Sequence, residues 1–175
     1  METDAAFREV QYFRQPWLLI VMAGIILLNI WGVVQQIVLG QPWGDNPASN
    51  ELLLIIFLLS GILFPVFILS INLRVEVRKE GLVYRFFPMH LHDRTIAWQE
   101  ITGHEMVNYH PLRDFGGWGI RYGKLGKAYS VSGDQGVLLV LDDGQKLVIG
   151  SRDANGLDLA ISSTAPRPYL PPTAQ

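Results

Sequence analysis

Two unbroken apolar runs, Pro16 to Leu39 and Leu52 to Ile71, dominate the hydrophobic pattern of the chain. No acidic or basic residue lies between Arg14 and Asp45 or between Glu51 and Arg74. About 20 apolar residues at the helical rise cross a bilayer core of about 30 Å, so both runs are long enough to span. The pattern predicts an integral membrane protein built on a helical hairpin. The first run exceeds the roughly 7 to 15 residues of a secretory signal core, and a second span follows at once, so the first run is read as a retained helix.

From Asn72 the apolar residues alternate instead. Leu73, Val75 and Val77 take one parity and Arg74, Glu76 and Arg78 the other, the pattern of a strand with one buried face. Lys79-Glu80-Gly81 supplies a turn, and Leu82 to Phe87 resumes as the partner strand. Further strands are expected at Asp93 to Trp98, His104 to Tyr109, Gly117 to Tyr122 and Lys127 to Val131. The clearest hairpin pairs Val137 to Leu141 with Lys146 to Ile149 across Asp142-Asp143-Gly144-Gln145. Its first arm is apolar throughout and should lie inside a sheet. Asp153 to Ser163 is a short helix with Ser151 or Asp153 as N-cap and an apolar face of Leu157, Ala160 and Ile161. The domains expected are therefore an N-terminal segment 1–15, spans 16–39 and 52–71 joined by a loop 40–51, a mainly β domain 72–164, and a disordered tail 165–175 rich in proline.

Charge placement orients this arrangement. Arg8 and Arg14 precede the first span, and Arg74, Arg78 and Lys79 follow the second, while the loop GQPWGDNPASNE contains neither Lys nor Arg. Cytoplasmic flanks carry the basic excess, so both termini are expected in the cytoplasm of a two-span cell-membrane protein. Trp17 and Trp43 lie where interfacial anchors belong. Within the spans, Asn29, Gly24, Gly32, Ser60 and Gly61 read as helix-packing residues and Pro65 as a kink. None of them is ionisable, and two helices alone cannot enclose a pathway.

Composition narrows the function classes. The chain has 14 Lys and Arg against 16 Asp and Glu, a net charge of -2. No nucleic-acid partner is expected, since that role needs a net basic face. The chain has no cysteine, which excludes disulfides, thiolate metal ligands and a cysteine nucleophile.

Two spans running into VEVRKEGLVYRFFP, then GVLLVLDDGQKLVIGS and a short helix, resemble the bacterial pleckstrin-homology-like (PH-like) membrane proteins. The opening FREVQYFRQPW and the central GGWGIRYGKLGKAYSVSG are also similar to one such uncharacterised family. The resemblance implies a PH-like barrel of seven strands with one C-terminal helix. It carries over no catalytic residue, and the fold alone does not license phosphoinositide binding.

Candidate chemistry is thin. His90 and His92, and His104 and His110, have spacings that share a strand face. A His-x-His pair without a third ligand is weak metal chemistry, so no metal and no cofactor is expected. Asp142-Asp143 is explained by its turn, and Glu100 and Glu105 by exposure. Gly126-Lys127-Ala128 lacks the hydroxyl and the helix of a phosphate loop. What remains is a binding surface of Arg113, Trp118 and Arg121, two cations and an aromatic ring able to grip an anionic head group or a peptide. The expected function is thus non-enzymatic: a membrane-anchored interaction module whose partners are the lipid bilayer and a protein, peptide or lipid ligand, with self-association as a further option. The alternative is a structural subunit that assembles into a larger membrane complex through its hairpin.

Overall fold

The computed structural model describes residues 5–166. It falls into two units, one of Arg14–Ser70 and one that runs to Phe13 and resumes at Ile71.

The first unit holds two helices long and apolar enough to cross a membrane, Pro16–Val38 and Asn50–Ser70. Their 23 and 21 residues amount to about 35 and 32 Å at the α-helical rise. Polar side chains are spent inside the pair. Ser60 donates from Oγ to Asn29 Oδ1 at 3.1 Å, and Asn29 Nδ2 donates to the Ile25 carbonyl at 2.8 Å. Gln36 ties down the connecting loop by donating to the Ala48 carbonyl at 2.7 Å and to Asn50 Oδ1 at 2.9 Å. Gly32 lets the Trp43 ring lie against the first helix, and Gly61 lies beside Asn29, whereas Gly24 faces open space and takes no part. Ahead of Pro65, which has no N–H to give the Gly61 carbonyl, the second helix widens into a π-helical stretch, Phe57–Leu63.

The second unit contains nine strands among the described residues. A four-stranded antiparallel sheet has the order β1 (Phe7–Tyr12), β2 (Asn72–Arg78), β3 (Gly81–Phe87), β4 (Arg94–Ala97). A five-stranded sheet runs β5 (Ile101–Asn108), β8 (Gln135–Leu141), β9 (Lys146–Gly150), β7 (Gly126–Ser130), β6 (Gly119–Gly123), with β7 and β9 parallel. Alternate residues of both sheets, Val75, Val77, Leu82 and Phe86 from one and Val137, Leu139 and Ile149 from the other, share a core with Leu157 and Ile161 of the C-terminal helix Ala154–Thr164. A smaller cluster of Tyr109, Phe115, Leu138 and Val148 covers the other side of the second sheet beneath the short helix Pro111–Phe115. The Val137–Leu141 run of β8 is apolar because the strand is buried between the core and the smaller cluster, with Val137 and Leu139 on one side and Leu138 on the other.

The seven-stranded barrel is not what forms. The strands make two sheets that do not close into a barrel. The chain breaks the ladder at a 3₁₀ turn, Trp98–Glu100, so β4 stays on β3 while β5 pairs with β8. The one strand among the described residues that the sequence pattern does not predict comes from the N-terminal segment. Its alternating FREVQY pairs with β2 along its whole length, from Phe7 opposite Val77 to Tyr12 opposite Asn72. The pairing is locked from the second sheet: Gln11 Nε2 donates to the Gly150 carbonyl at 2.8 Å, and Glu9 accepts from Ser151 Oγ at 2.6 Å and from the Arg152 amide at 3.0 Å.

The C-terminal helix begins one residue later than expected, capped by Asp153, whose Oδ1 accepts from the Gly156 amide at 2.8 Å. Gly156 leaves room for this cap, since a Cβ there would sit 2.2 Å from Asp153 Oδ2. The expected tail lies, from residue 167 on, outside the described residues.

Candidate functional site

The pairing of β1 with β2 continues one step past the ladder, where the Phe13 amide donates to the Ile71 carbonyl at 3.1 Å. These two side chains therefore stand side by side, and with Phe86 at the end of β3 they form the floor of a pocket of about 470 Å³. Met89 from the loop after β3, Trp118 just before β6 and Ile120 within it complete an apolar lining, with Arg121 as its charged member. The volume lies in the range of small-ligand sites, roughly 300–1,000 Å³, and so does the composition, apolar walls with a few polar groups.

Its polar members are held in place. Trp118 Nε1 donates to the Gly133 carbonyl at 2.9 Å, which fixes the indole. Arg121 Nε donates to the Trp118 carbonyl at 3.3 Å, and its terminal nitrogens have no protein partner among the described residues. The structure thus brings together two of the three residues singled out from the sequence. Arg113 is not in this lining. It lies on the short helix, where its Nε donates to Asp114 Oδ1 at 3.1 Å and its Nη2 lies 3.1 Å from His110 Nδ1. The His110 amide and the Arg113 guanidinium hold the Asp114 carboxyl below its ordinary range.

The outer face of the first sheet is more elaborate than the alternation of Arg74, Glu76 and Arg78 suggests. Glu76 is buried, 1% exposed. Arg74 and Arg78 donate to its two oxygens, and Arg8 reaches Oε1 from β1 at 3.0 Å. Burial pushes this carboxyl up, and the two β2 guanidiniums outweigh it, leaving it below the usual carboxylate value.

The histidines are dispersed. His104 is buried on β5 with Nδ1 2.7 Å from Asp158 Oδ1, while His110 precedes the short helix. The two do not meet. His92 is exposed, and its neighbour His90 is buried among aromatic rings, 5.8 Å from Tyr84 and 5.3 Å from Tyr129 between centroids. The Phe86 amide donates to His90 Nδ1 at 3.4 Å. Burial lowers the His90 pKa, and the charges of Arg94 and Lys127 lower it further. Tyr84, its ring centroid 4.9 Å from that of Tyr129 and tilted by 53°, is pushed up to about 12 by burial and by that neighbour. Lys127 Nζ lies 5.0 Å from the Tyr129 ring centroid and 5.4 Å from that of Tyr122. Hydrogen bonding to Tyr129 raises the Lys127 pKa, so it stays a cation. Among the described residues no three His, Asp or Glu side chains converge as a metal site.

Sequence reasoning found Trp118 and Arg121 by residue type and missed the rest of the pocket. Phe13, Ile71, Phe86 and Met89 are unremarkable in sequence and meet only because β1 pairs with β2 and the sheets face each other.

No curated protein matches the chain. A model described as a family of unknown function (DUF6141) covers residues 1–167, and the chain belongs to that family.

Proposed function

We propose that this protein is a membrane-anchored, non-enzymatic binding module whose β unit holds an apolar ligand or segment in the pocket of Phe13, Ile71, Phe86, Met89, Trp118 and Ile120. The observation that carries the reading is where this pocket lies in the chain. Phe13 is three residues before the first apolar helix and Ile71 one residue after the second. A ligand partitioned into a bilayer would therefore meet a pocket built from the roots of the anchor. Burying an apolar chain there is favourable by about 25 cal/mol per Å² removed from water.

In this reading the two helices span the cell membrane as a hairpin. The β1–β2 pairing favours both flanks on one side, and their basic residues against a loop with none favour the cytoplasm for that side.

Purifying the full chain in mild detergent, extracting what is bound and weighing it by mass spectrometry tests the pocket. We expect a hydrophobic small molecule or lipid retained in proportion to protein, and its loss in Ile120→Trp, which fills the cavity. Equal retention by both proteins would sink the pocket reading.

A further inference from the structure

A second cluster lies one step along the same inner face and is chemically unlike the pocket. Tyr84 precedes Phe86 by two residues on β3, so the two share a face roughly 7 Å apart, and Tyr129 is the cross-strand partner of Ile120. Around this pair of tyrosines stand three nitrogen bases. Arg94 on β4 is directly opposite Tyr84 in the ladder. Lys127 on β7 lies over the Tyr129 ring, and His90 packs against both tyrosines.

Neither cation is neutralised. Among the described residues no carboxylate forms an ion pair with Arg94 or Lys127, whereas Arg74, Arg78 and Arg8 all converge on Glu76 and Arg113 on Asp114. Arg94 is exposed and Lys127 half-buried, and the two cations flank the buried aromatic floor without an acid between them. An anion arriving from solvent would meet both. His90 supplies a third contact. With Nδ1 accepting from the Phe86 amide, the neutral ring carries its proton on Nε2, and this atom has no protein partner among the described residues. His90 is 7% exposed, and Nε2 is not among the fully buried unpartnered atoms, so this N–H is open to a ligand or to water.

From this arrangement we propose that Arg94, Lys127 and His90 form an anion site for a phosphate group, with the Arg94 guanidinium as planar fork, the Lys127 ammonium as point charge and the His90 Nε2–H as neutral donor. Arg and Lys in these roles match phosphate chemistry, bidentate and monodentate respectively. The phosphate is either free or the head group of a lipid. The site does not depend on the neighbouring pocket being filled.

The test uses the full chain in detergent with histidine ring carbons labelled, read by NMR. Inorganic phosphate is expected to move the His90 signal and to raise its pKa toward the ordinary histidine value, since the anion offsets the two cations. The His104 signal, from β5 and held by Asp158 of the C-terminal helix, should stay still and reports that the fold is intact. The double variant Arg94→Gln/Lys127→Gln should lose the His90 response while keeping the His104 signal. A short-chain phosphatidic acid, run as a second arm, identifies the source. Binding at least tenfold tighter than inorganic phosphate supports a lipid head group, and equal binding supports free phosphate. A His90 signal unmoved by either probe, or moved equally in the double variant, overturns the site.

Discussion

Replacing Glu76 by Gln removes the negative charge on which Arg8, Arg74 and Arg78 converge, with almost no change in volume. Breaking one side of a fully buried ion pair costs about 3–5 kcal/mol, because the remaining charge is stranded. Here the side chains of Arg74 and Arg78 are 22% and 23% exposed and that of Arg8 59%, so each arginine can turn partly to water. The cost is accordingly nearer about 2 kcal/mol. For a chain of this length that corresponds to a fall in Tm of roughly 4–8 °C. Thermal unfolding of the detergent-solubilised full chain, followed by tryptophan fluorescence at neutral pH, measures it. The pH dependence is the sharper part. The folded pKa of Glu76 lies below its ordinary value of 4.5. A depressed folded pKa contributes stability that is present above the unfolded pKa and lost as pH falls through the folded one. The gap between wild type and Glu76→Gln should therefore be full at neutral pH and shrink as the pH drops below about 4.5. Equal Tm values at neutral pH, or a gap that persists undiminished in acid, would refute the reasoning.

Other perturbations test the joints of the β unit. Gln11→Ala strips the Gly150 carbonyl of its buried partner, which costs about 1–3 kcal/mol, and the same melting assay should show it as a Tm lower by several degrees. Gly126→Ala should cost at least about 2 kcal/mol, since φ is +94° and a Cβ would lie 2.2 Å from the Lys146 carbonyl oxygen. Gly133→Ala, at φ +73° but in open space, is its control and should cost only about 1 kcal/mol by the same measurement.

The apolar helices were legible in the sequence because length and hydropathy are local properties. So was β8, whose continuous apolar run matches burial on two faces. The first strand was not. FREVQY alternates like a strand, yet its buried position is Gln11, and its partner β2 lies about sixty residues away across the hairpin. Only the hydrogen bonds of Gln11 to the end of β9 and of Glu9 to the residues just after it reveal why polar residues are tolerated there. Glu76 misled in the opposite direction, since a charged residue between two arginines reads as exposed, and three guanidiniums from two strands cover it. For the site, Trp118 and Arg121 could be picked by chemistry alone. His90 could not be placed, because its surroundings come from β3, β4 and β7, and Arg113 was drawn away by its neighbour Asp114.

The central claim is that a hairpin crosses the membrane with both of its roots in one β unit on the cytoplasmic side. The absence of cysteine makes this directly measurable. Single cysteines introduced by Ala6→Cys, Asn46→Cys and Ser163→Cys can be probed in intact cells and in opened membranes with a reagent that cannot cross the bilayer. The account predicts that Asn46→Cys is labelled in intact cells, while Ala6→Cys and Ser163→Cys are labelled only once the membrane is opened. Labelling of Ala6→Cys and Ser163→Cys from opposite sides, or of all three from one side, would contradict it.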